Sequence, residues 1–139
     1  MSGTPCHCMK LRRASSAITK MYDRCLEPSG LTVNQFAIMK NIQLSAPVSV
    51  SDLAVKTQLD RTTMVRNLRP LEEQGMVEDV SEPGTRNRQL VLTKYGAEKL
   101  RYADPMWKKA QGDVKKALGE SELAMLVALL LKVETICES

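Results

Sequence analysis

Residues 60–75 read DRTTMVRNLRPLEEQG. Asp60 is a residue type that caps the start of a helix, and Gly75 one that stops it. Between them Met64, Leu68 and Leu71 fall at spacings of three and four, which predicts a helix with one buried stripe. The other side carries Arg61, Thr62, Thr63, Arg66, Asn67 and Arg69, with no acid before Glu73. An ordinary solvated helix face mixes Glu with Lys. A face of Arg, Thr and Asn suits duplex DNA: arginine pairs bidentately with guanine, asparagine with adenine, and threonine meets phosphate or a thymine methyl. The helix N-terminus also favours a phosphate. Pro70 is expected to bend the last turn and to leave the Arg66 carbonyl without its ladder partner, away from the N-terminal half that would read bases.

The flanks of this helix set its context. Upstream, Ser49 and Asp52 form a candidate capping box for a short helix ending near Gln58, with Leu53 and Ala54 facing inward. Before it, Thr32 and Gln35 form another, opening a helix with Phe36, Met39 and Ile42 on one side. Downstream, Met76–Ser81 and Arg88–Thr93 are short β-prone runs joined by the turn residues Glu82-Pro83-Gly84-Thr85, the pattern of a β-hairpin with a polar tip. A short helix, a turn, a second helix and a β-hairpin make a winged helix-turn-helix, in which the second helix enters the major groove. The hairpin tip carries Arg86 and Arg88, either of which suits the negative potential of a minor groove.

Longer helices are expected at both ends. Thr4-Pro5 opens one of about 20 residues with Leu11, Ala14, Ile18, Met21, Tyr22 and Cys25 as its stripe, closed by Glu27-Pro28-Ser29-Gly30. Thr93 caps another carrying Leu100, Ala103, Trp107, Ala110, Val114 and Leu118, with a kink or restart expected at Pro105. Gly119 and Glu122 open a last helix running to about Ile136. Its residues Leu123, Met125, Leu126, Val127, Leu129, Leu130 and Leu131 surround nearly the whole circumference. A helix apolar all round must be buried all round. A second subunit sharing the first and last helices across a two-fold axis is the natural cover, so a homodimer is expected.

Composition sets outer limits. With 139 residues, 43% of them hydrophobic, the chain has the size and apolar content of one folded unit. The formal charge of +4 adds little by itself. Its distribution says more: basic residues cluster in 56–70 and 84–101, while Leu71–Pro83 holds only acids, which predicts a basic face and an acidic back. The four cysteines follow no signal-peptide pattern, so a reducing cytoplasm is expected rather than a disulfide framework. The apolar run Leu123–Leu131 is too short for a bilayer, which needs about 20 residues, so no membrane partner is expected. Cys6-His7-Cys8 offers metal-binding residue types, but on a helix positions i and i+2 point apart, and His7 is the only histidine. No metal site and no cofactor are assigned. On a continuous first helix Cys6 and Cys25 would lie roughly 28 Å apart, too far for an intrachain disulfide, so a thiol switch would be intersubunit or an adduct. The chain lacks Cys-x-x-Cys and a Gly-rich phosphate loop, which disfavours an enzyme.

The stretches GLTVNQFAIMKNI (30–42), LDRTTMVRNLRPLEEQGMVE (59–78) and RNRQLVLTKYGAEKL (86–100) resemble the MarR (multiple antibiotic resistance regulator) family, and the likeness extends over nearly the whole chain. Leu71-Glu72-x-x-Gly75 and Leu92-Thr93 are its most telling pairs. The resemblance implies a mainly α fold with a β-hairpin wing: a winged helix-turn-helix at about 32–95, with dimerisation helices at about 5–27 and 94–137, in a single domain spanning 1–139. It implies a homodimer on a pseudo-palindromic operator in double-stranded DNA, often repressing, and released by a small-molecule inducer or by oxidation. An inducer pocket would lie between the dimerisation helices and the DNA-binding module; Tyr22, Tyr102 and Trp107 fit its lining or, more simply, the core. Family wings commonly read Asp-x-Arg or Asp-Arg-Arg, with the Asp bracing the arginine. This chain has Thr85-Arg86-Asn87-Arg88 and no such Asp; counting back from Thr93 favours Arg86 as the minor-groove residue and leaves Arg88 open. The alternatives are a winged-helix protein-interaction module without DNA binding, and a cysteine-based redox or metal sensor.

Overall fold

The computed structural model describes residues 3–138, so residues 1, 2 and 139 of the expected unit lie outside it. Helix α1 (His7–Leu26) is followed by a 3₁₀ turn (Glu27–Ser29), then α2 (Val33–Ser45), α3 (Val50–Thr57) and α4 (Arg61–Glu73). Strands β1 (Val77–Asp79) and β2 (Leu90–Leu92) lead into the long helices α5 (Lys94–Leu118) and α6 (Glu120–Glu134). Every element expected from the sequence is present, and the fold is mainly helical with a two-stranded antiparallel hairpin.

Local chemistry explains most boundaries. Thr32 and Gln35 form the complete capping box: the Gln35 N–H donates to Thr32 Oγ1 at 3.2 Å and the Thr32 N–H to Gln35 Oε1 at 3.0 Å. At α3 only half of the expected box forms: the Asp52 N–H donates to Ser49 Oγ at 3.0 Å, and the described hydrogen bonds include none in return. Gly75, at φ 76°, turns the chain out of α4 in the left-handed conformation that glycine adopts without strain.

The first helix starts two residues later than Thr4-Pro5 predicts. Cys6 occupies its N-cap in an extended conformation and Cys8 its first turn, so the two do not share the helical geometry assumed from sequence. Pro105 neither breaks nor restarts α5, which runs unbroken from Lys94 to Leu118. It sits at an exposed position, where water can serve the carbonyl left without an N–H partner.

The core is built from Phe36, Ile38, Met39 and Ile42 of α2, Leu53 of α3, Met64, Leu68 and Leu71 of α4, and Met76, Val77 and Leu90 of the hairpin root, closed by Leu26, Leu100 and Ala103. Trp107 packs against this cluster and stacks on Phe36 with ring centroids 5.5 Å apart. Tyr102, by contrast, is exposed and belongs to no core. Tyr22 is half-buried between α1 and α5 and donates its hydroxyl to Gln111; burial first, and then nearby Cys25, push its pKa up. The start of α2 is tied to α1 by the Val33 N–H, which donates to Asp23 at 2.7 Å.

The two ends of the chain behave differently. No residue of α6 is buried in the single chain, and α1 is exposed from His7 through Ile18, Met9 and Leu11 included. The all-round burial expected of α6 is thus not met within one copy. Among the described residues, no helix is long and apolar enough to cross a membrane.

Candidate nucleic-acid interface

Helix α4 is oriented by its own buried stripe. Met64, Leu68 and Leu71 are almost fully buried. At about 100° per residue the ridge directly opposite them carries Thr62, Arg66, Arg69 and, one turn later, Glu73. Arg61, Thr62, Arg66 and Arg69 are exposed, and none has an ion pair or side-chain hydrogen bond among the described residues. The positions named from sequence are therefore not equivalent. Thr63 is half-buried and its hydroxyl donates to Asp60 at 3.0 Å. The half-buried Asn67 donates its amide N–H to the Thr63 carbonyl at 2.8 Å, which leaves its Oδ1 outside that bond. Val65, not among the residues expected from sequence, is 43% exposed on the wing side of the same helix. A residue beside the buried stripe is hard to assign by periodicity alone.

Asp60 fixes the N-terminus of α4. Its carboxylate accepts from the Thr63 N–H at 2.8 Å and from the Thr63 hydroxyl. The backbone bond first, and then the hydroxyl, hold its pKa below the usual 3.8. A carboxyl with a lowered folded pKa stabilises the fold above its unfolded pKa, and that contribution is lost as pH falls through the folded value. Asp79 is lowered for the same kind of reason, first by the Gln89 N–H and then by Ser81. The melting midpoint should therefore fall below about pH 4. Asp60→Asn keeps a capping acceptor without the titration, so it should flatten part of that decline. Thermal melts of both proteins at pH 3 and pH 6 check this; equal declines would remove Asp60 from the account.

The wing is held together by its own strand ladder and tied to the body through Val48, Thr93 and, at its base, Arg88. Its strands pair Val77 with Leu92, Glu78 with Val91 and Asp79 with Leu90. Val48, just before α3, adds an isolated bridge to Leu90, with bonds of 3.1 and 2.8 Å. Thr93 joins both ends of the hairpin: its N–H donates to the Met76 carbonyl at 3.0 Å, its hydroxyl to the Gly75 carbonyl at 2.6 Å, and its Oγ1 accepts from the Gly96 N–H at 2.9 Å. The Leu92-Thr93 pair noted in the sequence thus locks the end of α4 to the start of α5.

The two wing arginines stand apart. Arg86 lies exposed at the tip with no partner among the described residues. Arg88 lies at the base, with Nη2 on Glu72 of α4 and Nε on Asp79 of β1 at 3.3 Å. The Glu72 bond, ahead of the Asp79 contacts, raises its pKa. Neither partner is legible in the linear sequence. The acids of 71–83 were visible as a group, but nothing local shows which of them meets an arginine. Beside them a groove of about 330 Å³ runs between α4 and the wing, lined by Val50, Val65, Leu68, Arg69, Glu72, Glu73 and Arg88.

Comparison with known proteins agrees with this architecture. The family model described as MarR family matches residues 29–86. The chain is 32% identical to the M. tuberculosis transcriptional regulator MosR, solved in complex with DNA, with 97% of this chain and 100% of that one covered and a TM-score of 0.82. A relative in Thauera aromatica, whose name ties it to regulation of the hcr operon, is 26% identical over 125 residues, covering 88% of this chain and 75% of its own length. MarR of E. coli, solved as a cysteine-to-serine mutant with operator DNA, shares the fold at a TM-score of 0.80 and 24% identity, with 90% of this chain and 91% of that one covered. With its hairpin, capped α4 and long terminal helices in the same order, this chain belongs to the MarR family of winged-helix transcription regulators.

Proposed function

We propose that this protein is a sequence-specific regulator, most simply a repressor, that binds a pseudo-palindromic operator in duplex DNA as a cytoplasmic homodimer. One domain would supply everything: α2–α5 the reading head, and α1, α5 and α6 the dimer contacts. The observation that carries the reading is the exposed cationic ridge of α4 together with Arg86 at the wing tip, neither of them paired among the described residues. Arg61, Thr62, Arg66 and Arg69 would line the major groove and Arg86 the adjacent minor groove; Thr63 and Asn67 would contribute from the side through the acceptors they still have. The bare apolar surface of α6 and of the first half of α1 supports the dimer. That the M. tuberculosis relative was crystallised with DNA supports the partner.

Release of DNA would follow a small ligand or oxidation. A groove of about 380 Å³ between α2 and α5, lined by Lys40, Gln43, Leu100, Arg101, Asp104 and Pro105, lies where a ligand would bear on both the reading head and the long helices. All four cysteines are free, and Cys6, Cys8 and Cys137 are exposed in the single chain.

Selection of bound duplexes from a random pool, followed by anisotropy titration at several salt concentrations, tests the proposal. Affinity should fall linearly on a log–log plot, with a slope of about −0.9 per phosphate neutralised. Arg66→Ala should cost about 1–3 kcal/mol per half-site and relax sequence preference at one position. Arg86→Ala should weaken binding about tenfold or more. No duplex affinity at low salt would sink the function, while parental affinity in Arg86→Ala would sink only the wing assignment.

A further inference from the structure

We propose that Arg88 is a positioning residue, not a DNA ligand: bonded to Glu72 of α4 and Asp79 of β1, it sets the angle between wing and reading helix and thereby places Arg86. The inference rests on the reading above that Arg86 enters the DNA.

The hairpin needs such a support. Core packing of Met76, Val77 and Leu90 and the Val48 bridge hold its root, but the ribbon is only three residue pairs long, and a two-stranded ribbon is marginal where such packing ends. Beyond Asp79 the strands exchange one further bond, from the Val80 N–H to the Gln89 carbonyl at 2.8 Å. Asp79 closes the neck from the side. Its Oδ1 accepts from the Ser81 N–H at 2.9 Å and the Gln89 N–H at 3.0 Å, one from each limb, and its Oδ2 accepts from Arg88. The other end of the same guanidinium reaches Glu72 on α4. One planar side chain thus spans the reading helix and both limbs of the wing, a geometry that arginine's rigid fork suits and lysine's point charge does not. Arg88 also faces two carboxylates, so its charge is already matched on the protein and offers little to a phosphate. Arg86, two residues on towards the tip, has no such restraint and depends on the base for its direction.

Electrostatics and positioning predict opposite signs for one substitution. Glu72→Gln removes a negative charge close to the DNA-binding side, which by charge alone should tighten binding. As the loss of a brace it should weaken binding. We therefore expect Glu72→Gln to lower affinity for the selected duplex about five- to tenfold, and to have little further effect once Arg86 is alanine, a non-additivity of the size coupled residues show. The experiment is a four-protein cycle of parent, Glu72→Gln, Arg86→Ala and the double variant, by anisotropy at one salt concentration, with melting midpoints beside it. If Glu72→Gln melts at the assay temperature, Arg88→Gln enters the cycle in its place; charge alone also predicts a loss there, so its non-additivity with Arg86→Ala decides. Parental or tighter binding by the brace variant overturns the proposal. So does an equal loss with and without Arg86, since the residue would then act elsewhere. Parental binding by Arg86→Ala fails the wing reading itself and the brace with it, a failure that shows in that single variant alone.

Discussion

Gly96→Ala is expected to unseat the wing and to abolish DNA binding at ordinary temperatures. Gly96 is buried in the first turn of α5. A Cβ built there would lie 2.0 Å from the Met76 carbonyl oxygen and 2.9 Å from its carbon. Both are backbone atoms, and the same carbonyl accepts the Thr93 N–H that closes the hairpin root. No rotamer relieves such a contact; α5 and β1 must separate. We expect a loss of about 3 kcal/mol, as for severe overpacking, and a melting midpoint about 10 °C lower. The sign is the informative part, because alanine normally improves a helix over glycine by about 1 kcal/mol. Gly112, in the same helix with nothing within 4 Å of its built Cβ, is the internal control. Gly112→Ala should stabilise. Calorimetry of the two variants checks the pair, and a stable Gly96→Ala that still binds duplex would show that the wing root tolerates a shift.

Substitution of Met125 and Leu129 together by aspartate is expected to leave a folded monomer with a large loss of operator affinity. The two side chains lie one turn apart on α6 and are 62% and 51% exposed in the single chain. Their replacement therefore costs the fold of one copy little. In a dimer each would be buried, at about 2 kcal/mol per side chain, and a two-fold axis counts every change twice. Sedimentation at micromolar concentration should show the monomer, with helical circular dichroism retained. Affinity for a full operator should fall by about 10²-fold or more, because two linked half-sites become two separate binding events. A dimer that survives would place the interface on another surface.

What is legible in the sequence follows a physical division. Helix α4 could be read because its signals are local: Asp60 three residues from the N–H it caps, Met64, Leu68 and Leu71 one turn apart, Gly75 where a left-handed residue is needed. Thr93 could be read as a cap for the same reason, and the excess of apolar residues on α6 announced a surface that one copy does not cover. Such features depend on neighbours within about four positions, the range over which helical geometry acts. The start of α1 lies two residues beyond the one Thr4-Pro5 predicts, because that pair is a permissive signal and helix ends are weakly specified. What the linear pattern could not rank were the two wing arginines, identical in type and two positions apart. Folding separates them. Arg88 meets Asp79 nine residues away and Glu72 sixteen residues away, and Arg86 meets neither. Nor does the pattern show that Gly96 lies against the Met76 carbonyl. Caps and stripes are properties of a chain segment. The partner of a charge, and the room for a methyl group, belong to the packing of segments distant in sequence.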